Sequence, residues 1–160
     1  MNYYLIHETP VGELVLKSCS KFLLSINFFK EQSTQSKTFF LKRGNLVLEK
    51  TAEQLDEYFF HNRISFSIDY ILCTTPFFTK VLKEVSLIQF GEIKSYKQIA
   101  NLLNNSKACR AVANANANNP LPIIIPCHRV IRSSGELGGY RGGFQSKRYL
   151  LNLENKKANF

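Results

Sequence analysis

Apolar residues near the N-terminus come in short alternating runs, whereas from Leu46 onward they recur mainly at every third or fourth position. Alternation marks a half-buried strand and the longer period marks an amphipathic helix. YYLIHETPVGELVLKS therefore predicts a hairpin: a strand, a Thr9-Pro10-Val11-Gly12 turn, and a second strand through Leu14 and Leu16. KFLLSINFF, residues 21–29, predicts a third strand, and the polar stretch 30–45 a loop. Leu48, Ala52, Leu55, Tyr58 and Phe59 share one face of a helix over 46–60, and FSIDY, residues 66–70, predicts one more strand. Residues 1–72 thus form a small α+β domain, an antiparallel sheet plus a helix. No site assembles in it, and His7 and His61 stand alone in structural or surface roles.

ILCTTP, residues 71–76, marks the boundary of a second, mainly helical domain over 73–160. Thr75-Pro76 supplies a cap and a first helical residue for FFTKVLKEVSLI, whose apolar face is Phe77, Val81, Leu82 and Val85. Gly91 ends the connection. Ser95 caps a helix over YKQIANLL with Ile99, Leu102 and Leu103 inward. After a short polar turn, CRAVANANANN predicts another helix, stopped at Asn119-Pro120. Two short helices so joined match a helix-turn-helix, here winged-helix-like. SKRYLLNLE predicts a last helix packed by Leu150, Leu151 and Leu153.

Charge sharpens the division. The 160 residues carry a net +9. Residues 1–72 hold eight basic and eight acidic side chains, and residues 73–160 hold thirteen basic and four acidic, so the whole excess lies in the second domain. Such an asymmetry points to a polyanion such as nucleic acid. No apolar run approaches the roughly 18 residues of a membrane span, and the N-terminus lacks a secretory pattern. Cys19, Cys73, Cys109 and Cys127 are too widely spaced for a zinc ribbon. They are expected as thiols in a reducing, cytoplasmic compartment, three of them packing as small hydrophobes.

Two segments carry candidate chemistry. The helix between Ala108 and Ala117 is almost all Ala and Asn after Arg110. A helix that reads the major groove projects long donors, which Ala111, Ala113, Ala115 and Ala117 lack. Their short side chains suit close approach to a minor groove, or packing on a neighbouring helix, while Arg110 projects a long cation. The second segment is PIIIPCHRVIRSSG. A thiolate is the nucleophile and a nearby His can take its proton. Read as extended chain, Cys127 and His128 point to opposite faces, so a bridging water is expected between them. Glu154 on the last helix, or Glu136 in the Ser-Ser-Gly turn, is the candidate for orienting the imidazole, with Glu154 preferred. Pro126 stiffens the entry and Ile123 to Ile125 wall the thiol. GELGGYRGGF places five glycines around Tyr140, a loop whose backbone can line a tight pocket.

These residues resemble the O6-alkylguanine-DNA alkyltransferase family, the methylated-DNA–protein-cysteine methyltransferases. NPLPIIIPCHRVIRSSGELGGYRGG is the core of the resemblance, with RAVANANANNP, FGEIKSYKQIA and SKRYLLNLE extending it through much of 74–160. TPVGELVL and QLDEYF resemble the family's N-terminal domain. The chain departs from the family at Leu82, often Trp there, at Ile88-Gln89, often Ile-Pro, and at Ala113, often Gly.

The resemblance implies a DNA repair activity in which the alkyl group of O6-alkylguanine moves irreversibly to Cys127, one event per molecule, with no cofactor and no metal site. O4-alkylthymine is a further possible substrate. His128 and Glu154 would draw the proton through water from a thiol that ionises readily. The partner would be double-stranded DNA, bound through the minor groove by a monomer, with the damaged base flipped out. Arg110 would fill the vacated stack, and Ala111, Ala113, Asn114 and Ala115 would meet the DNA. Tyr96 would crowd the phosphate and donate to the base. Pro126, Val130, Tyr140 and Arg141 would line the pocket, Lys147 would support Tyr96 or the pocket charge, and Asn119 would brace the recognition helix against the active-site strand. Two other readings use some of the same residues. One is a cysteine hydrolase, which would turn over; the other is a non-catalytic lesion-binding or regulatory DNA-binding module, for which Cys127 is the discriminating residue.

Overall fold

The structure, a computed structural model, describes residues 2–29, 41, 42 and 44–158. The chain divides into two compact units, Met1–Cys73 and Thr74–Phe160.

In the first unit, β1 (Tyr3–His7), β2 (Leu14–Ser18) and β3 (Leu23–Phe28) pair antiparallel, with Leu5 opposite Leu16 and Leu16 opposite Ile26. β2 alternates as its sequence dictates: Leu14, Leu16 and Ser18 are buried and Val15 and Lys17 are not. A two-residue strand, β4 (Leu41–Lys42), lies parallel to β1, so the sheet order is β3-β2-β1-β4. The loop expected over 30–45 thus includes a strand at its end, while residues 30–40 and 43 of that expectation lie outside the described residues. The strand expected at 66–70 does not form. Only one bridge is made, between Leu23 and Tyr70, and the Ser67 N–H goes to the Gln54 side chain instead of a ladder.

Helix α1 (Leu46–Phe60) buries Leu48, Leu55, Tyr58 and Phe59. Thr51 and Gln54 are buried with them. The Thr51 hydroxyl donates to Val47 O, and the Gln54 amide pairs with Ser67, so neither polar group is left unsatisfied. The helix starts at Asn45, whose Oδ1 accepts from the Leu48 N–H at 3.0 Å and from the Ser18 hydroxyl at 3.1 Å. Its amide donates to Cys19 O at 3.0 Å. One side chain therefore caps α1 and fastens it to the sheet.

The second unit contains α2 (Pro76–Ser86), β5 (Lys94–Ser95), α3 (Tyr96–Leu102), α4 (Cys109–Ala117), β6 (Val130–Ile131) and α5 (Phe144–Ala158). Thr75 caps α2 and Pro76 opens it, since a first-turn N–H would be unpaired anyway. Ser95 and Gln98 form a reciprocal capping box at the start of α3. α4 packs on both α2 and α3. β5 and β6 pair in parallel, Lys94 with Val130 and Ser95 with Ile131, which ties the start of α3 to the chain just after Cys127. α3 turns Ile99 and Ala100 inward and leaves Leu102 51% exposed, against the expectation that Leu102 is a core position. The small Ala100 takes the inward place. The expectation that three cysteines pack in the core also fails: Cys19 and Cys109 are half-buried, Cys73 is exposed, and only Cys127 is enclosed. No helix among the described residues is long and apolar enough to cross a membrane.

Replacing Asn45 by Ala removes a cap and leaves Cys19 O without that donor. The expected loss is about 1–2 kcal/mol of unfolding free energy, read by urea titration; an unchanged midpoint would contradict the double role of this residue.

Candidate active site

Asn119 builds the approach to the reactive cysteine. It is 1% exposed. Its Oδ1 accepts from the Leu121 N–H at 3.0 Å, and its amide donates to Ile125 O at 2.8 Å. Ile125 N–H returns to Leu121 O, which closes a tight loop over 121–125. Inside this loop Ile123 sits at φ +76°, a left-handed conformation costly for a β-branched residue, of order 1–3 kcal/mol. The buried bonds of Asn119 and the burial of Ile123 and Ile125 hold it there.

Cys127, His128 and Arg129 form a single 3-10 turn rather than extended chain, entered from Pro126 at φ −78°, ψ 60°. The Cys127 N–H donates to Ile125 O at 2.7 Å and the Arg129 N–H to Pro126 O at 2.9 Å. The opposite-face argument for Cys127 and His128 therefore does not apply, because consecutive residues in a turn are not separated by a pleat.

His128 is fully buried. Its Nε2 lies 2.8 Å from Glu154 Oε1, and its Nδ1 has no hydrogen-bond partner among the described residues. Glu136, the other candidate, instead pairs with exposed Arg132 at 2.8 Å. Arg129 grips Glu154 with a fork: Nε to Oε2 and Nη2 to Oε1, both 2.8 Å, while Nη1 donates to Ile88 O. The Gly91 N–H adds a fourth donor to Oε2. Burial alone would raise the Glu154 pKa, but the bonds from His128 and Arg129 outweigh it and bring the carboxyl down to about 2. With that carboxylate ionised, Nε2 of neutral His128 carries the ring proton and Nδ1 carries the lone pair. Burial, opposed by Glu154, also lowers the His128 pKa, which favours the neutral ring.

Cys127 is 2% exposed. Burial pushes its thiol up to about 11, although the Asn119 amide and the charges of Lys147 and Arg141 act the other way. The expectation of a readily ionised thiol is therefore corrected. At neutral pH Cys127 rests as S–H, because an apolar enclosure penalises the anion more than its polar neighbours favour it.

Lys147, fully buried on α5, donates to Val130 O at 2.6 Å and Gly139 O at 3.4 Å. Its burial lowers it to about 8. Its Nζ stands 6.0 Å from the centre of the Tyr96 ring. Tyr96 is half-buried, and its hydroxyl would lie 3.0 Å from a Cβ placed on Gly138, so the loop can pass only because that residue has no side chain. The Tyr140 ring meets His128 edge to face at 6.5 Å. Pro126 and Val130 are buried, and the side chain of Arg141 is exposed.

α4 presents Arg110, Ala111, Asn114 and Ala117 to solvent, and Ala113 is half-buried. Ala115, expected on the DNA face, is fully buried with Val112 and Asn116 against the neighbouring helices. Ala111 and Ala115 stand four residues apart on the same side of the helix, so it is the packing of α4 on α2 and α3 that covers Ala115 and leaves Ala111 exposed. Arg110 is not joined to the Cys127 cluster; it stands on the outer surface of the helix.

Three participants were missed by sequence reasoning. Arg129 and the Gly91 N–H complete the Glu154 cage, and Asn116 donates to Cys127 O at 3.1 Å. A signal for Arg129 existed: an Arg among buried apolar residues needs a carboxylate, and a Glu on the buried face of α5 needs a cation.

Comparison with known proteins agrees with this architecture. Residues 76–156 match the profile of the 6-O-methylguanine DNA methyltransferase DNA-binding domain. The chain is 39% identical over 160 residues to the constitutive methylated-DNA–protein-cysteine methyltransferase of Bacillus subtilis, covering 96% of each. It superposes on the crystal structure of the Mycobacterium tuberculosis O6-methylguanine methyltransferase with a TM-score of 0.90 at 35% identity, covering 98% of this chain and 94% of that one. The Mycobacterium tuberculosis OGT in complex with DNA gives 0.88 at 35% identity, over 97% and 94% of the two chains. Sequence and fold thus define one class: this chain belongs to the methylated-DNA–protein-cysteine methyltransferase family.

The Glu154 cage has a pH signature. A carboxylate held below its ordinary value of 4.5 contributes fully above that pH and loses its contribution as the pH falls through about 2. That loss is roughly 3 kcal/mol. In Glu154→Gln this acid-dependent component should vanish, seen as a flatter stability curve across that window in urea unfolding at stepped pH.

Proposed function

We propose that this protein repairs alkylated DNA by moving an alkyl group from O6 of guanine to Sγ of its own Cys127. The observation that carries the reading is the enclosed thiol of Cys127 beside a buried imidazole, with Nε2 of that imidazole fixed by Glu154 and Nδ1 left open. The names of the relatives, and the structure of one of them with DNA, support the same reading.

The Cys127 proton passes to His128 Nδ1 through a water. The sulfur attacks the alkyl carbon, the C–S bond forms and the C–O6 bond breaks. The leaving guanine takes a proton on its ring and regains its ordinary keto form. A thioether offers no easy leaving group, so each molecule acts once, and no cofactor is required because the protein is itself the acceptor. The high resting pKa of the thiol makes the His128 relay the source of the nucleophile at neutral pH.

A guanine inside a duplex does not reach an enclosed sulfur, so the base is flipped, at a cost of a few kcal/mol. The short side chains on the outer face of α4 suit the minor groove, with Ala111, Ala113 and Asn114 close to the backbone and Arg110 occupying the vacated stack. Tyr96 presses on the adjacent phosphate and its hydroxyl donates to the base. The Cys127 carbonyl already accepts from the Asn116 amide and the Val130 N–H, whereas the Val130 carbonyl accepts from Lys147 and retains a second lone pair for the exocyclic amine. The backbone N–H of Arg141 faces O6, and Pro126 and Tyr140 wall the pocket. Lys147 polarises this region and Asn119 braces it. The protein acts as a monomer in a reducing compartment.

Incubation with duplex DNA carrying labelled O6-methylguanine should move label to protein one-for-one on a denaturing gel. Cys127→Ser should abolish transfer while DNA binding survives; repeated turnover, or lesion binding without transfer by the wild type, would refute the reading. Arg110→Ala should lower the ratio of the duplex rate to the free-base rate by about tenfold or more, equivalent to about 1.4 kcal/mol withdrawn from flipping. An unchanged ratio would remove Arg110 from that step.

A further inference from the structure

The pairing of His128 with Glu154 raises a problem that Arg129 resolves. A lone buried carboxylate beside an imidazole favours the imidazolium, and an imidazolium has no lone pair with which to accept a proton. Here the carboxylate is not alone. Oε1 receives His128 Nε2 and Arg129 Nη2 together, each at 2.8 Å, and Oε2 receives Arg129 Nε and the Gly91 N–H. Arg129 is itself 6% exposed, and its third nitrogen is committed to Ile88 O at 2.6 Å. Its cation therefore cannot swing away from Glu154 without leaving buried donors unpaired.

We propose that Arg129 is a positioning residue for alkyl transfer: by balancing the Glu154 charge it leaves His128 with a hydrogen bond that fixes its tautomer, yet without the excess negative charge that would protonate Nδ1. The inference rests on His128 being the acceptor of the Cys127 proton. Among the described residues, the charged and titratable groups facing the ring act in both directions. From α5 come Glu154, which favours the imidazolium, and Lys147, which opposes it; from its own turn come Cys127 and Arg129, the latter opposing it. Tyr140 of the glycine-rich loop lies edge to face at 6.5 Å, with Tyr96 beyond Lys147. Burial of the ring works in the same direction as the two cations. Arg129 is the only one of these groups that touches the same carboxylate oxygen as His128.

The test is single-turnover transfer from duplex O6-methylguanine between about pH 5.5 and pH 9, with a parallel NMR titration of the His128 ring in labelled protein. Arg129→Gln keeps a polar side chain beside Glu154 and removes the cation. Its rate at about pH 6, relative to about pH 8.5, should fall by about tenfold or more against the wild-type ratio, one decade for each unit by which the ring midpoint comes to lie above pH 6. Arg129→Lys keeps a cation but not the fork, and should shift both readouts in the same direction by less. Adding Glu154→Gln to Arg129→Gln removes both charges and should bring the profile back toward that of the wild type.

A uniform rate loss at every pH, with an unmoved His128 midpoint in Arg129→Gln and Arg129→Lys, would overturn the proposal and leave Arg129 a purely structural role. If Arg129→Gln does not fold, Arg129→Lys carries the same decision. A wild type that accepts no label refutes the repair reading instead, and the NMR titration still decides whether Arg129 keeps the ring neutral.

Discussion

The second unit is organised around one buried negative charge. Glu154 is 1% exposed, and an unpaired carboxylate at that depth would cost several kcal/mol. Its four donors come from two separate places in the chain, the turn at 127–129 and the connection at Gly91, and Arg129 also donates to the carbonyl of Ile88. Satisfying that charge forces the end of α2, the cysteine turn and α5 into one arrangement. Gly91 is part of the same constraint. It sits at φ +79°, and a Cβ there would stand 2.8 Å from the Cβ of Ala158, so only glycine brings its N–H to the carboxylate. The requirement that a buried charge be fully bonded thus sets both the packing of α5 and the tautomer of His128.

A second set of bonds joins that cluster to α4. Asn116, near the end of the helix, donates to Cys127 O, and Asn119, just past it, donates to Ile125 O. The helix proposed to meet DNA and the residue proposed to accept the alkyl group therefore share backbone partners. The left-handed conformation of Ile123 lies in the middle of this link and persists because the bonds on both sides over-determine it.

Much of this was legible in the sequence. The alternation around Leu14 and Leu16, the Thr75-Pro76 start and the Ser95 cap are local signals, and each forms where its pattern places it. What was not legible depends on partners distant in sequence. The segment 66–70 has strand composition, but the Gln54 side chain takes one of its N–H groups. Leu102 looks like a core position until Ala100 occupies the inward side of a seven-residue helix. Ala111, Ala113 and Ala115 look equivalent, and only the packing of α4 on two neighbours separates the exposed residue from the buried one. In the site, Cys127, His128 and Glu154 could be named from chemistry. Arg129 was signalled only as a cation among apolar residues in need of a carboxylate; that it shares an oxygen with His128 is a distance and not a pattern.

The resting state of Cys127 fits a protein that reacts once. A thiolate exposed to solvent would be open to oxidation and to every electrophile in solution, and each such event would consume a molecule without repairing anything. Burial raises the thiol to about 11 and keeps it protonated, while the imidazole proposed to take the proton lies beside it, neutral and oriented. Reactivity is then confined to the moment when a substrate carbon occupies the pocket and the developing negative charge passes to a leaving base. The same apolar enclosure that makes Cys127 inert at rest strengthens every electrostatic contact during transfer, because the surrounding medium screens little. Selectivity thus follows from one physical choice: a nucleophile held in low dielectric, with its proposed base fixed by a carboxylate whose own charge is already balanced.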